Sequence, residues 1–437
     1  ASDILLLVFS SVATVAIALL LIWKFAPTLL GLPADLVLVK SSEKVPPFFE
    51  HAIRKDDLQS PEFILKDPIT RVRAKPFFPA MGGAGPNDLL GFRNLSVPNS
   101  ADILIIGDSQ TYGNNALIWE NFPHLLERNL SGANVYSMAV GGWGGLQYYY
   151  ACLKAMIFNP KVIIVAFYTG NDPIETFNLA KASDLWSEVV PADIDFANIH
   201  PPGAQFPAPE EEQWPVTFSD GITTVFTPKL RHTSNMQHPA VETGYEIMSR
   251  VAEKIGEMAK AEGIKPVFTI IPTKEYAYSD KTRKDKLASP PDYDALVKDE
   301  GEWIDMLSSR LKAIDEAMYV DVAGKLKQTA LSSIPLYPET GNGHPLAAGY
   351  AVIAETLAEA VNTLYQPHAD GVAISVGIRT SPMPVYIRNG KFWILHADKR
   401  SILDYVGKES IRAVPAVDIL DMTYMGHATL EELALLQ

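Results

Sequence analysis

Apolar runs of strand length stand at Ile103–Ile106, Val135–Val140, Val162–Phe167, Val267–Ile271 and Met318–Val322. Between them lie amphipathic stretches with helical periodicity: Trp119–Asn129, Leu146–Ile157, Val241–Glu262 and Glu302–Glu316. Continuous apolar strands that alternate with helices predict a parallel sheet covered on both faces. Right-handed crossovers then wind it into a three-layer α/β/α sandwich. The sheet is expected to have five strands, within a domain spanning residues 101–365.

Three segments break this pattern. Residues 25–100 are Pro-rich and irregular, and are expected to wrap the main domain. Residues 173–240 carry many prolines and acids and little helix or strand signal, which predicts a long insertion over the carboxyl edge of the sheet. Tyr276–Tyr293 reads as a shorter charged insertion. Residues 366–437 read as a small β-rich appendage, with VAISVGI and the two arms of PVYIRNGKFWIL as strands and Asn389-Gly390 as a type I′ hairpin turn.

Ile4–Trp23 is a run of 20 residues without charge, long enough for a helix that crosses the hydrocarbon layer. Ala1-Ser2-Asp3 before it has no basic residue, unlike a signal peptide. Residues 1–24 are therefore expected to form a retained single-pass membrane helix through 4–23, with the soluble domain on the periplasmic or extracytoplasmic side.

Net charge is −14, so the basic footprint of a nucleic-acid binder is missing and no nucleic-acid partner is expected. Cys152 is the one cysteine, which excludes an internal disulfide and a cysteine-built metal site. His232 and His238 lack metal-ligand spacing with a carboxylate, so neither metal nor cofactor is expected. Glu210-Glu211-Glu212 reads as a solvated loop.

Candidate chemistry begins at Ile105-Ile106-Gly107-Asp108-Ser109-Gln110-Thr111, where a serine flanked by glycine follows a buried strand. The position is the mouth of an α/β sheet, where ligands bind. This block resembles the GDS block of the SGNH (GDSL-like) hydrolase family, and three further blocks follow in that family's order. Val140-Gly141-Gly142-Trp143 is similar to its glycine block, with Gly142 as the oxyanion-hole glycine; Thr169-Gly170-Asn171-Asp172 is similar to its G-N-D block; and Gly343-His344-Pro345-Leu346 is similar to its histidine block. The resemblance implies the family's flavodoxin-like fold, Ser109 as nucleophile and His344 as general base. It also implies an oxyanion hole of the Ser109 and Gly142 backbone N–H groups and the Asn171 amide. Asp108 and Asp172 are expected to organise the loops.

One position departs from the family pattern. Its aspartate three residues before the histidine is Gly341 here, so Asn342, Glu339 or a backbone carbonyl has to hold the imidazole Nδ1–H. Tyr148-Tyr149-Tyr150 reads as core packing or as the lining of an acyl pocket, and Trp143 as part of the site rim. The function implied is a membrane-anchored serine esterase or O-acyl hydrolase, or an acyltransferase on the same site, acting on ester-containing lipid or glycan. The alternative is a structural or accessory subunit of a larger membrane complex, respiratory or photosynthetic, with catalysis weak or lost.

Overall fold

A computed structural model of the protein describes residue 60 and residues 62–364, apart from 77, 79, 82, 89, 96, 99, 131–132, 202–207 and 232–236, together with the strand segments 36–39, 383–388, 391–395, 401–405, 411–415 and 423–428. The predicted membrane run Ile4–Trp23, His232 and VAISVGI lie outside the described residues. Among the described residues no helix is long and apolar enough to cross a membrane.

The chain divides into two compact units, residues 62–371 and residues 1–61 with 372–437. In the first, five strands form one parallel sheet: β1 (Ile103–Gly107), β2 (Val135–Ala139), β3 (Val162–Tyr168), β4 (Lys265–Ile271) and β5 (Met318–Val320). The spatial order is β5-β4-β3-β1-β2. This is the doubly wound order in which the winding reverses between β1 and β3, so the crevice beyond their carboxyl ends is open to a ligand.

Every residue of β1 and β3 is buried, which explains the unbroken apolar runs. Ile103, Ile105, Ile164, Val267 and Val320 pack into one core with Phe122, Leu126, Leu326, Ile353 and Leu357. These come from helices Phe122–Asn129, Val322–Ala330 and Ala347–Val361. Leu104, Ile106, Ile163, Val165 and Phe268 alternate with the first set and are buried under the other layer. That layer comprises helices Gly145–Ala155, Asp172–Ala182 and Pro239–Ala261. Burying an isoleucine such as Ile105 or Ile164 contributes about 2 kcal/mol.

Two predicted elements differ from the structure. Residues 173–240 were expected to carry little regular structure, yet they include most of helix Asp172–Ala182 and an antiparallel hairpin, Trp214–Thr217 with Thr223–Phe226. The helix buries Pro173, Ile174, Thr176, Phe177, Leu179 and Ala180 on several sides, so it lacks the polar face that marks a surface helix. The helix placed at Glu302–Glu316 spans Pro291–Ala313, and Pro291 opens it at a position where the missing N–H costs nothing. The segment before it holds two short helices, Lys274–Ala277 and Ser279–Lys284.

The described part of residues 62–100 packs onto the sheet unit. Strands Ile64–Asp67 and Arg71–Ala74 form a hairpin. Trp143 Nε1 and Gln147 Nε2 donate to its Val72 and Thr70 carbonyls at 2.8 and 3.2 Å. Buried Arg93 joins the Gly85 carbonyl at 2.8 Å to the Ala116 carbonyl at 2.7 Å, fixing this segment against the loop after Ser109.

In the second unit, strands 36–39, 383–388, 391–395, 401–405, 411–415 and 423–428 form a six-stranded antiparallel sheet. The Arg388↔Lys391 pairing closes the hairpin predicted around Asn389-Gly390.

Candidate active site

Ser109 is the first residue after the β1 turn, at the start of a short helix Ser109–Tyr112. Asp108 caps that helix by accepting the Gln110 N–H at 2.9 Å. Burial pushes the Asp108 carboxyl up to about 7, against the backbone N–H of Gln110 and the Ser109 hydroxyl, which favour its charge.

His344 reaches Ser109 from 235 positions further along the chain. Its Nε2 lies 2.8 Å from Ser109 Oγ. The serine has a second acceptor in Asp108 Oδ2 at 3.1 Å, so the shorter contact favours His344. On the other side of the ring, Nδ1 lies 2.8 Å from Asn342 Oδ1. The same Oδ1 accepts the His344 backbone N–H at 3.0 Å. A backbone N–H can only donate, so this bond fixes the amide with oxygen toward the ring. Nδ1 therefore carries the proton, and Nε2 presents its lone pair to Ser109.

The expectation about Gly341 is resolved by this geometry. Asn342, two residues before the histidine, holds the imidazole, while Glu339 is exposed at the surface. An ordinary Cβ at Gly341 would lie 2.9 Å from Thr227 Cγ2, so the insertion occupies the space a side chain there would need. The amide orients the ring without supplying a negative charge. Burial, reinforced by the positive charge of Arg231, lowers the His344 imidazole from 6.5 to about 4.

The histidine loop is braced from several elements. Lys274 Nζ donates to the Val225 and Thr340 carbonyls, each at 2.7 Å. Thr224 Oγ1 donates to the Pro338 carbonyl at 3.0 Å. Tyr350 at the foot of helix Ala347–Val361 donates to the Asn114 carbonyl at 2.8 Å, linking the histidine and serine loops. Burial lowers Lys274 to about 7, with Glu275 opposing the shift.

Ser109, Gly142, Asn171, Asn342 and His344 all line one cavity of about 760 Å³. Gly142 has φ +79°, a conformation that glycine adopts without strain. The nearest protein atom to a Cβ there would be Val72 Cγ2 at 4.0 Å, so among the protein's own atoms it is the backbone angle that calls for glycine. A Cβ at Gly141 would meet Ser109 Cβ at 3.5 Å, which puts the glycine turn against the serine. Asn171 precedes helix Asp172–Ala182 without capping it through its side chain, and the residue lines the cavity.

Asp172 lies behind the site. Its Oδ2 accepts the Tyr168 N–H and the Tyr148 hydroxyl, each at 2.8 Å, which ties the G-N-D loop to helix Gly145–Ala155. Tyr148 is 0% exposed and belongs to the core. Trp143, expected at the rim, is buried and bonded to the Val72 carbonyl. His238 accepts the Ala240 N–H through Nδ1 at 3.1 Å and caps helix Pro239–Ala261.

Sequence reasoning missed Arg231, Glu275, Lys274, Thr227 and Tyr168 around the cavity. One signal was present for Lys274 and Glu275, which follow the carboxyl end of β4, where such sheets place ligand-binding groups. Arg231 had none, because only the folding of the insertion brings it to the site.

No family model and no curated protein matches the chain. Among solved structures it is similar to a putative lipolytic protein of the G-D-S-L family from Desulfitobacterium hafniense DCB-2, at 14% identity over 59% of this chain and 97% of that one, TM-score 0.34. It is also similar to a putative acylhydrolase from Bacteroides fragilis NCTC 9343, at 16% identity over 60% and 88%, TM-score 0.32. A third is a catalytic mutant of an acetylxylan esterase from Geobacillus stearothermophilus, at 10% identity over 61% and 95%, TM-score 0.34.

Proposed function

We propose that the chain is an SGNH-type serine esterase, an O-acyl hydrolase that forms an acyl-enzyme on Ser109. The observation that carries this reading is the 2.8 Å contact between Ser109 Oγ and a His344 Nε2 whose tautomer Asn342 fixes. The Ser109 proton moves to Nε2 as Oγ bonds the ester carbonyl carbon. The carbonyl oxygen takes the electron pair and is stabilised by the Gly142 N–H, the Asn171 amide and the Ser109 N–H. Collapse breaks the ester C–O bond, and imidazolium protonates the departing alcohol. Water then attacks the acyl-enzyme by the same steps in reverse roles. A sugar or lipid hydroxyl in place of water would make the same site an acyltransferase. Residues 4–23 are proposed to hold this domain at a membrane.

The direct assay is turnover of 4-nitrophenyl acetate, with a nitrophenolate burst equal to the enzyme concentration. Absence of turnover above the uncatalysed rate would overturn the reading.

The His344 environment sets the pH dependence. Its imidazole is held down to about 4, so the basic form persists well below the ordinary 6.5. kcat/KM is expected to stay level from neutral pH to about 5 and to fall as pH drops through about 4. A descending limb centred near 6.5 in the pH profile would contradict this. The stability sign is the same: between 6.5 and 4 the unfolded chain binds the proton and the folded chain does not. Folding stability is therefore full above 6.5 and decreases as pH falls through that window.

A further inference from the structure

The insertion delivers one residue that the ester chemistry does not use. Arg231 is 9% exposed and is the only lysine or arginine among the described residues lining the cavity of Ser109 and His344. Glu275, fully buried beneath it, accepts from Nε at 2.9 Å and from Nη2 at 3.2 Å. The Thr227 N–H bonds the same carboxylate at 2.9 Å. A guanidinium carries five N–H donors, and this pairing occupies two along the Nε–Nη2 edge. A Cβ at Gly343 would stand 2.7 Å from both Nη1 and Nη2 and 2.9 Å from Cζ, so the guanidinium lies across Gly343, and the absence of a side chain there lets it approach the histidine loop.

Tyr168 lines the same cavity, its ring folded over Gly170, where a Cβ would lie 2.4 Å from the phenol oxygen. Burial pushes this phenol far up, against the positive charge of Arg231, which lines the same cavity. The phenol therefore keeps its proton and can donate it.

We propose that the Nη1 end of Arg231 and the Tyr168 hydroxyl form an anion subsite that selects esters carrying a carboxylate close to the scissile bond. This rests on the esterase reading of Ser109. The Arg231–Glu275 pair sums to zero charge, so the subsite offers N–H and O–H donors rather than net positive charge, and the single charge of a carboxylate is less costly to seat there than the double charge of a phosphate. Glu175 lines the cavity as well and repels an anion from its own side, which confines the carboxylate to the Arg231 side. With a net charge of −14 the chain as a whole repels polyanions, so the selection is for a single local carboxylate.

Two 4-nitrophenyl esters of equal shape test this, the glutarate half-ester with its free carboxylate and its methyl-capped neutral analogue. The wild-type protein is expected to favour the charged ester by about tenfold or more in kcat/KM. Arg231→Gln alone would strand the buried Glu275, so the informative variant is Arg231→Gln with Glu275→Gln, checked for an unchanged melting profile. In that variant the preference is expected to vanish, and Arg231→Lys should retain part of it. A wild-type ratio near one, or a ratio that survives in the double variant, overturns the subsite. The same esters are titrated onto Ser109→Ala protein with and without the double substitution. Tighter binding of the charged ester that depends on Arg231 supports the subsite even without turnover, a result that would sink the esterase reading alone. Equal binding of both esters overturns the subsite.

Discussion

Ser109→Ala is expected to lower kcat/KM for ester hydrolysis by about 10⁴-fold or more, leaving a small residue from the oxyanion donors and substrate binding. The size follows from what is removed. Ser109 Oγ is the atom within 2.8 Å of the His344 base, so without it no covalent intermediate can form. Fold stability should barely change, because Ser109 is only partly buried and the substitution leaves no charge stranded. The His344→Ala variant should fall about as far, and the double variant no further than either single one, since the two act as a unit. Progress curves against the uncatalysed rate, with thermal melts of each variant, check both statements. Additive losses would contradict a shared step.

Asn342→Asp should raise kcat, and Asn342→Leu should lower it. In serine proteases an Asp-to-Asn change is severe because it leaves the wrong tautomer, at about 10⁴-fold. Here the His344 backbone N–H already turns the amide oxygen toward Nδ1, so orientation is present and only the charge is missing. An aspartate would add that charge, stabilise the imidazolium and move the acid limb of the pH profile upward from about 4. Asn342 is exposed, so water screens the new charge and the gain is expected to be about tenfold rather than several thousandfold. Leucine removes the acceptor and frees the ring to turn, with an expected loss of about 100-fold. Initial rates from pH 4 to 8 for the three proteins decide it. Indifference to both substitutions would mean that the Asn342 contact does nothing for the reaction.

Sheet and site differ in how far the sequence reveals them. Strands β1 and β3 were legible because they are buried on both faces, which forces unbroken apolar runs. Helix Asp172–Ala182 was not, because burial on several sides erases its amphipathic period. Ser109, Gly142 and Asn171 were legible for a geometric reason. Each follows the carboxyl end of a neighbouring strand, so short local motifs mark residues that the sheet then brings together. The Arg231–Glu275 pair was not legible. Its members lie 44 positions apart and meet only because an insertion without strong periodicity folds back over the cavity. The grip on His344 was legible in part: Gly341 marked the missing carboxylate, but only the geometry singles out Asn342 from Glu339.

The central claim is that Ser109 is a nucleophile activated by His344. Incubation of the full chain with a fluorophosphonate, followed by peptide mass spectrometry, tests it without knowledge of the natural ester. The account predicts one stoichiometric adduct on Ser109 at neutral pH, formed far more slowly in His344→Ala protein. A protein that stays unlabelled while folded, or one labelled equally fast without His344, would contradict it.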